Sequence, residues 1–184
     1  SSTEAKIKEQ EWDYVILQGV GRVVAYPHIF MDNPVYPALS SLTETIRANC
    51  AETKILFCMP WAYEDGMVWQ PGWTDLYPQM QQHIYDNTLL YSAALDIGVA
   101  PVGWAWNRVL QEQNYPLHYL HVSDWNHPSL KGSYLMACVV FASIFQQSVV
   151  GNTYWAGLEE TEAIYFQQVA SEIVLQDISL WNFQ

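Results

Sequence analysis

Apolar positions along the chain recur in two rhythms. Short runs of β-branched and large apolar residues alternate with longer stretches in which apolar residues return every three or four positions. Residues 1–10 are polar and rich in Lys and Glu, as at the tail of a surface helix. Residues 12–18 (WDYVILQ) form an apolar run ending at Gly19 and read as a buried strand. A loop bearing Gly and Pro, with His28 in it, runs to about Pro37. Over 38–50, Leu39, Leu42 and Ile46 sit at helical spacing, and 54–59 (KILFCM) is a second strand stopped by Pro60. A long loop from Trp61 to Asp75 carries Glu64, Asp65, Trp69 and Trp73, and loops of that length in a compact domain are often functional.

The longest helix is expected over 77–97, with Met80, Ile84, Tyr91 and Leu95 as its buried stripe. A short third strand (99–102) and a helix near 104–113 follow, with Trp104 and Trp106 packing the turn. A polar, His-rich loop spans 114–127. Residues 129–145 are so uniformly apolar that the helix they predict should be buried on most sides. An amphipathic helix over 159–175, with Phe166, Val169, Ala170 and Ile173, closes the series. Strands alternating with helices define an α/β class with a parallel sheet, in one domain covering 1–184. Only three strands are evident, and WDYVILQ is too apolar for a bare edge. The expectation is a further N-terminal segment, with strands of its own, outside this sequence.

Composition narrows the partners. Seven basic residues stand against nineteen acidic ones, for a net charge of −12. Nucleic-acid binding relies on Lys and Arg neutralising phosphates, so nucleic acid is excluded as a partner, and an anionic membrane surface with it. No apolar run is long enough to span a bilayer. Nine Trp and twelve Tyr read either as a well-filled core or as a cleft that stacks sugar rings. Cys58 and Cys138 lie in apolar runs and read as small buried hydrophobes. With Cys50 they make neither a disulfide framework nor a zinc pattern.

The most informative segment is SDWNHPSLKGSYL (123–135). Pro128 suits the first turn of a helix, which places His127 just before it. Asp124 can fold back onto the imidazole, fixing its tautomer and leaving the second nitrogen to take a proton from a nucleophile. The plainer alternative is a pair that caps the helix and stiffens the loop. His118, His121, Asp124 and His127 are spaced by three and could be read as metal ligands, but an extended backbone near Tyr119 would send His118 and His121 to opposite faces. No metal and no cofactor is expected.

This segment resembles the last motif block of SGNH/GDSL-type hydrolases, where Asp-x-x-His-Pro leads into the final helices. More narrowly, WDYVILQ (12–18), VAPVGWAW (99–106) and HPSLKGSYLMACVVFASIF (127–145) are similar, in that order, to a branch of mostly uncharacterised bacterial SGNH-like proteins. The resemblance implies a three-layer α/β/α sandwich of flavodoxin-like type and hydrolysis of an acyl ester, often acetyl on a carbohydrate. His127 would be general base and then general acid, with Asp124 orienting it. It also implies a secreted or periplasmic setting.

The departures are as informative. The family's nucleophilic Ser and oxyanion Gly belong to N-terminal blocks that this sequence does not contain, and no Ser here replaces them. The chain is therefore expected to be about the C-terminal three-quarters of such a domain, with the missing segment as a partner. Where the family has an oxyanion Asn, this sequence reads Gln18-Gly19-Val20-Gly21-Arg22. Gln18 could donate its amide to an oxyanion, or simply bond the neighbouring loop. Arg22 could hold a substrate carboxylate, or be a solvated loop residue. Trp61 at a strand end is a candidate substrate wall. The expected function is a serine esterase acting on a small-molecule or glycan ester. A non-catalytic carbohydrate-binding or interaction protein on the same scaffold is the alternative.

Overall fold

The computed structural model describes residues 2–26, 34–68 and 71–183. His28 and Trp69 lie outside the described residues. Three parallel strands form the sheet: β1 (Tyr14–Gln18), β2 (Lys54–Cys58) and β3 (Gly98–Ala100), in the order β1-β2-β3. Seven helices are interleaved with them among the described residues: α1 (Ser2–Ile7), α2 (Gly21–Ala25), α3 (Val35–Asn49), α4 (Tyr77–Leu95), α5 (Val102–Glu112), α6 (Leu130–Phe145) and α7 (Glu160–Leu175). This is the α/β class that the alternation of rhythms predicts. No helix among the described residues is long and apolar enough to cross a membrane.

Burial grades across the sheet. In β2, Ile55 to Cys58 are all buried, as befits a central parallel strand with neighbours on both edges. β1 has β2 as its one strand partner among the described residues, and its Ile16 is 40% exposed. The sequence predicts a buried strand here, but none of the five residues of β1 is buried, because β2 covers one edge alone among the described residues. Cys58 and Cys138 are buried free thiols, and burial raises their pKa values to about 12 and about 11.

Three further expectations are corrected. The loop after β1 contains a helix, α2, only five residues long. A helix so short needs outside partners for its terminal carbonyls, and the Asn87 side chain on α4 donates to both Val24 O and Tyr26 O at 2.7 Å. Helix α3 begins at Val35, before Pro37 rather than after it, because a proline in the first turn forfeits no intrahelical bond. Helix α6 is not buried on most sides: Leu130, Phe141 and Phe145 stand 55%, 36% and 56% exposed. Apolar composition alone cannot say which neighbours a helix will have.

Close approaches at glycines bring the carboxyl ends of the strands together. A Cβ on Gly21, beyond β1, would lie 2.7 Å from Trp61 O; one on Gly103, beyond β3, would lie 2.0 Å from Pro60 O. Both glycines therefore pack on the same turn after β2. Gly103→Ala is expected to cost about 2–3 kcal/mol, since a backbone carbonyl cannot yield to the methyl. Gly151→Ala, whose Cβ meets nothing within 4 Å at φ +93, is expected to cost only the left-handed penalty of about 1 kcal/mol. Urea unfolding of the two variants checks the difference.

Candidate functional site

The turn leaving β2 satisfies its backbone through distant side chains. Met59 N–H donates to Ala100 O at 2.9 Å, and Gly103 N–H to Met59 O at 3.0 Å. Gln81 on α4, fully buried, accepts from Ala62 N–H at 2.7 Å and donates to Pro60 O at 3.3 Å. His121, also fully buried, places Nε2 2.9 Å from Ala62 O. A carbonyl can only accept, so Nε2 carries the proton. Trp61 donates its indole N–H to Asn126 O at 2.8 Å, and Glu64 N–H donates to Trp125 O at 2.9 Å.

Those last two bonds tie the turn to the loop bearing Asp124 and His127. The loop is closed by Val122 N–H to His127 O (2.9 Å), Ser129 N–H to Leu120 O (2.7 Å), and an antiparallel bridge between His121 and Pro128. Pro128 thus precedes the helix instead of opening it. Ser129 caps α6, accepting from Gly132 N–H, and its hydroxyl donates to Tyr119 O. Beneath lies an aromatic stack. Trp61 lies face to face with Trp106 at 4.4 Å, and the His121 ring meets Trp106 edge-on at 4.9 Å. A Cβ on Gly132 would strike the Trp106 ring at 2.5 Å, so α6 begins as close to that stack as a backbone can come.

On the loop, Asp124 Oδ2 lies 2.6 Å from His127 Nδ1. Its Oδ1 accepts from His127 N–H (2.9 Å) and Asn126 N–H (3.0 Å). These backbone donors, His127 N–H first, and then the imidazole hold the Asp124 pKa down at about 2. The carboxylate is thus ionised and aimed before any ligand arrives. Both side chains are exposed, His127 by 71% and Asp124 by 51%. Among the described residues the His127 ring bonds only Asp124, which leaves Nε2 facing solvent. The intervening Trp125 sits at φ +65, a region that bulky residues avoid at a cost of about 1–3 kcal/mol. Four of the eight non-glycine residues at positive φ among the described residues fall between Asn114 and Trp125.

The other histidines of the cluster turn elsewhere. His118 Nδ1 lies 2.7 Å from Glu64 Oε2, its backbone N–H donates to Glu64 Oε1, and His121 Nδ1 lies 3.9 Å from Glu64 Oε1. His118 and His121 therefore face one carboxylate rather than opposite sides. They do so because His118 takes a left-handed φ of +57 in place of an extended backbone. Asp124 and His127 pair with each other instead. No group of three or more His, Cys, Asp or Glu among the described residues is arranged to hold a metal ion.

Of the remaining expected site residues, Gln18 ends β1, beside Cys58 in register, with its side chain exposed. Arg22 is exposed on α2. Trp61 is half-buried, with one face covered by Trp106 and its N–H given to Asn126 O, so much of it serves the protein itself. Sequence reasoning missed Gln81, Trp125 and the role of Glu64. Gln81 carried no signal, being one polar residue on a long helix. Trp125 could have been noticed as the aromatic inside Asp-x-x-His.

Fold and site together define an α/β protein with a parallel sheet, in which the turn after β2 is bonded to a loop that carries an oriented carboxylate–imidazole pair. The fold is shared with the crystal structure of a DUF4886 family protein from Bacteroides uniformis. The similarity has a TM-score of 0.73 at 22% sequence identity, over 95% of this chain and 67% of that one. At that identity the likeness is one of fold. No protein-family profile matches the chain, and no curated protein matches it.

Burial pushes the His121 imidazole below its ordinary pKa, against the opposing pulls of the Ala62 carbonyl and Glu64. The unfolded chain takes up a proton below about pH 6.5 that the folded chain resists. Stability is therefore expected to fall as pH drops through that value, by at most about 1.4 kcal/mol per pH unit for this one group. Urea unfolding at pH 5, 6 and 7 should show a shallower slope in His121→Gln. An equal slope would remove His121 as the cause.

Proposed function

We propose that Asp124 and His127 are the acid–base half of an SGNH-type serine esterase, acting on an acyl ester, in particular acetyl on a carbohydrate. The serine comes from polypeptide outside this sequence, and the complete domain is the three-layer sandwich in a secreted or periplasmic setting. The observation that carries this reading is the 2.6 Å contact between His127 Nδ1 and Asp124 Oδ2, on a loop pinned at both ends, with Nε2 facing solvent.

The chemistry follows from that arrangement. The serine hydroxyl attacks the ester carbonyl and gives its proton to His127 Nε2, while Asp124 stabilises the resulting imidazolium. Collapse of the tetrahedral intermediate breaks the bond to the sugar oxygen, which leaves with the proton from Nε2. Water, deprotonated in turn by His127, then releases the acid from the acyl-serine. The Gln18 amide is the proposed oxyanion donor, and Arg22 and Trp61 are proposed substrate contacts.

The test is fluorophosphonate labelling of the protein isolated from its source with whatever polypeptide copurifies, read by denaturing mass spectrometry. The expected adduct lies on a serine outside this sequence. In His127→Ala, labelling and acetyl-ester hydrolysis should both slow by about 10³-fold or more. No adduct and no hydrolysis would overturn the esterase. It would leave the alternative, a non-catalytic carbohydrate-binding or interaction protein.

A further inference from the structure

We propose that the cleft bounded by Tyr63, Asp65, Asp124, Trp125 and Asn126 is a subsite for one ring of a neutral glycan, with the Trp125 indole as its stacking platform. The proposal names the substrate-binding surface beside His127, and in that respect rests on the function proposed above. Its own support is local geometry.

The cleft has a volume of about 330 Å³, within the range of small-ligand sites. It shares Asp124, Trp125 and Asn126 with the loop that carries His127, and Asp124 is the partner of the His127 ring. Trp125 stands 49% exposed, although so large an aromatic surface is costly to leave in water. It is not loosely held. Its backbone N–H donates to Val122 O at 3.0 Å, its carbonyl accepts from Glu64 N–H at 2.9 Å, and its φ of +65 is fixed between those bonds. A side chain held outward by a fully bonded, strained backbone is preorganised for something that lands on it. Indole suits the flat C–H face of a pyranose, which is apolar while its rim carries hydroxyls.

The polar rim fits the same ligand. Asp124 commits both oxygens to the loop, through Oδ1 to two backbone N–H groups and Oδ2 to His127. Asp65 is half-buried, and its carboxylate makes no hydrogen bond among the described residues. It is therefore the acceptor available to a pair of sugar hydroxyls. The Asn126 side chain can donate and accept beside it. Two carboxylates in the cleft, on a chain of net charge −12, repel a uronate or sulfated sugar. That excludes anionic rings and leaves a neutral one as the ligand the stacking platform and hydroxyl acceptors suit.

The experiment is a titration of the ¹⁵N-labelled chain with xylohexaose, mannohexaose and cellohexaose, and with hexagalacturonate as the anionic counterpart. The readout is the indole N–H resonance of Trp125, assigned by its loss in Trp125→Phe. At least one neutral hexamer is expected to shift it saturably, with a Kd of about a millimolar. Followed by the backbone amide shifts of residues 124–126 in the same titration, Trp125→Ala should weaken binding about tenfold or more and Asp65→Asn several-fold, with the remaining indole signals unchanged as a check on the fold. No response to any neutral hexamer, or a tighter response to hexagalacturonate, overturns the proposal. So does saturation of Trp125 by a copurifying protein that the sugars do not displace. Binding requires no serine, so sugar binding without fluorophosphonate labelling leaves the subsite and removes the esterase. Labelling without sugar binding does the reverse.

Discussion

The turn that carries the chain out of β2 is the constraint on which the site depends. A central parallel strand ends inside protein, not in water, so the backbone groups beyond it must find partners there. Residues 59–64 find them on four separate elements: the end of β3, Gln81 on α4, His121 before α6, and the backbone of Trp125. Each bond that satisfies the turn also fixes the position of what satisfies it. Gly21 and Gly103 exist where they do because the turn leaves no room for a methyl group.

This explains how an exposed pair of side chains can be held in a defined geometry. An ion pair in solvent contributes little by itself, since water competes for both partners. The Asp124–His127 contact owes its geometry to the backbone N–H groups that grip Oδ1, and those are held by the loop closures at Val122 and Ser129. The loop in turn rests on Trp61, Trp106 and His121, which are packed ring on ring. Rigidity thus passes outward from a buried aromatic stack to a solvent-facing imidazole. That is the order of support a catalytic group requires.

The hydrophobic rhythm made the three strands and the long helices legible. Periodicity reports burial, and β2, β3 and the long helices are buried much as their patterns say, whereas β1, for all its apolar residues, buries none of its five. It could not reveal α2, whose five residues are held by Asn87 from another element, nor the bare side of α6, whose sequence is apolar whether or not a neighbour covers it. The pair Asp124–His127 was legible because its members are three residues apart, close enough for local backbone geometry to join them. Gln81, Glu64 and Trp125 were not. Their partners lie far away in sequence, and no spacing rule connects a helix glutamine to the carbonyl it satisfies.

The same residue types occur twice within this region, and their surroundings divide their roles. Glu64 faces His118 and His121 in a largely enclosed cluster, where His121 is fully buried and its Nδ1 makes no hydrogen bond among the described residues. A base enclosed in that way cannot reach a substrate, and burial disfavours the charge that proton transfer would create on it. Asp124 and His127 invert each condition. The carboxylate is ionised and fixed, the imidazole is bonded on one nitrogen, and the other is open to approach. Acid–base chemistry needs the second arrangement, whereas the first suits a buttress. The buried cluster therefore reads as the support of the exposed pair, linked to it through the Glu64 N–H and the Trp125 carbonyl. That link also fixes the backbone of Trp125 between Asp124 and Asn126, so one hydrogen bond from the turn after β2 holds the loop on which the exposed pair stands.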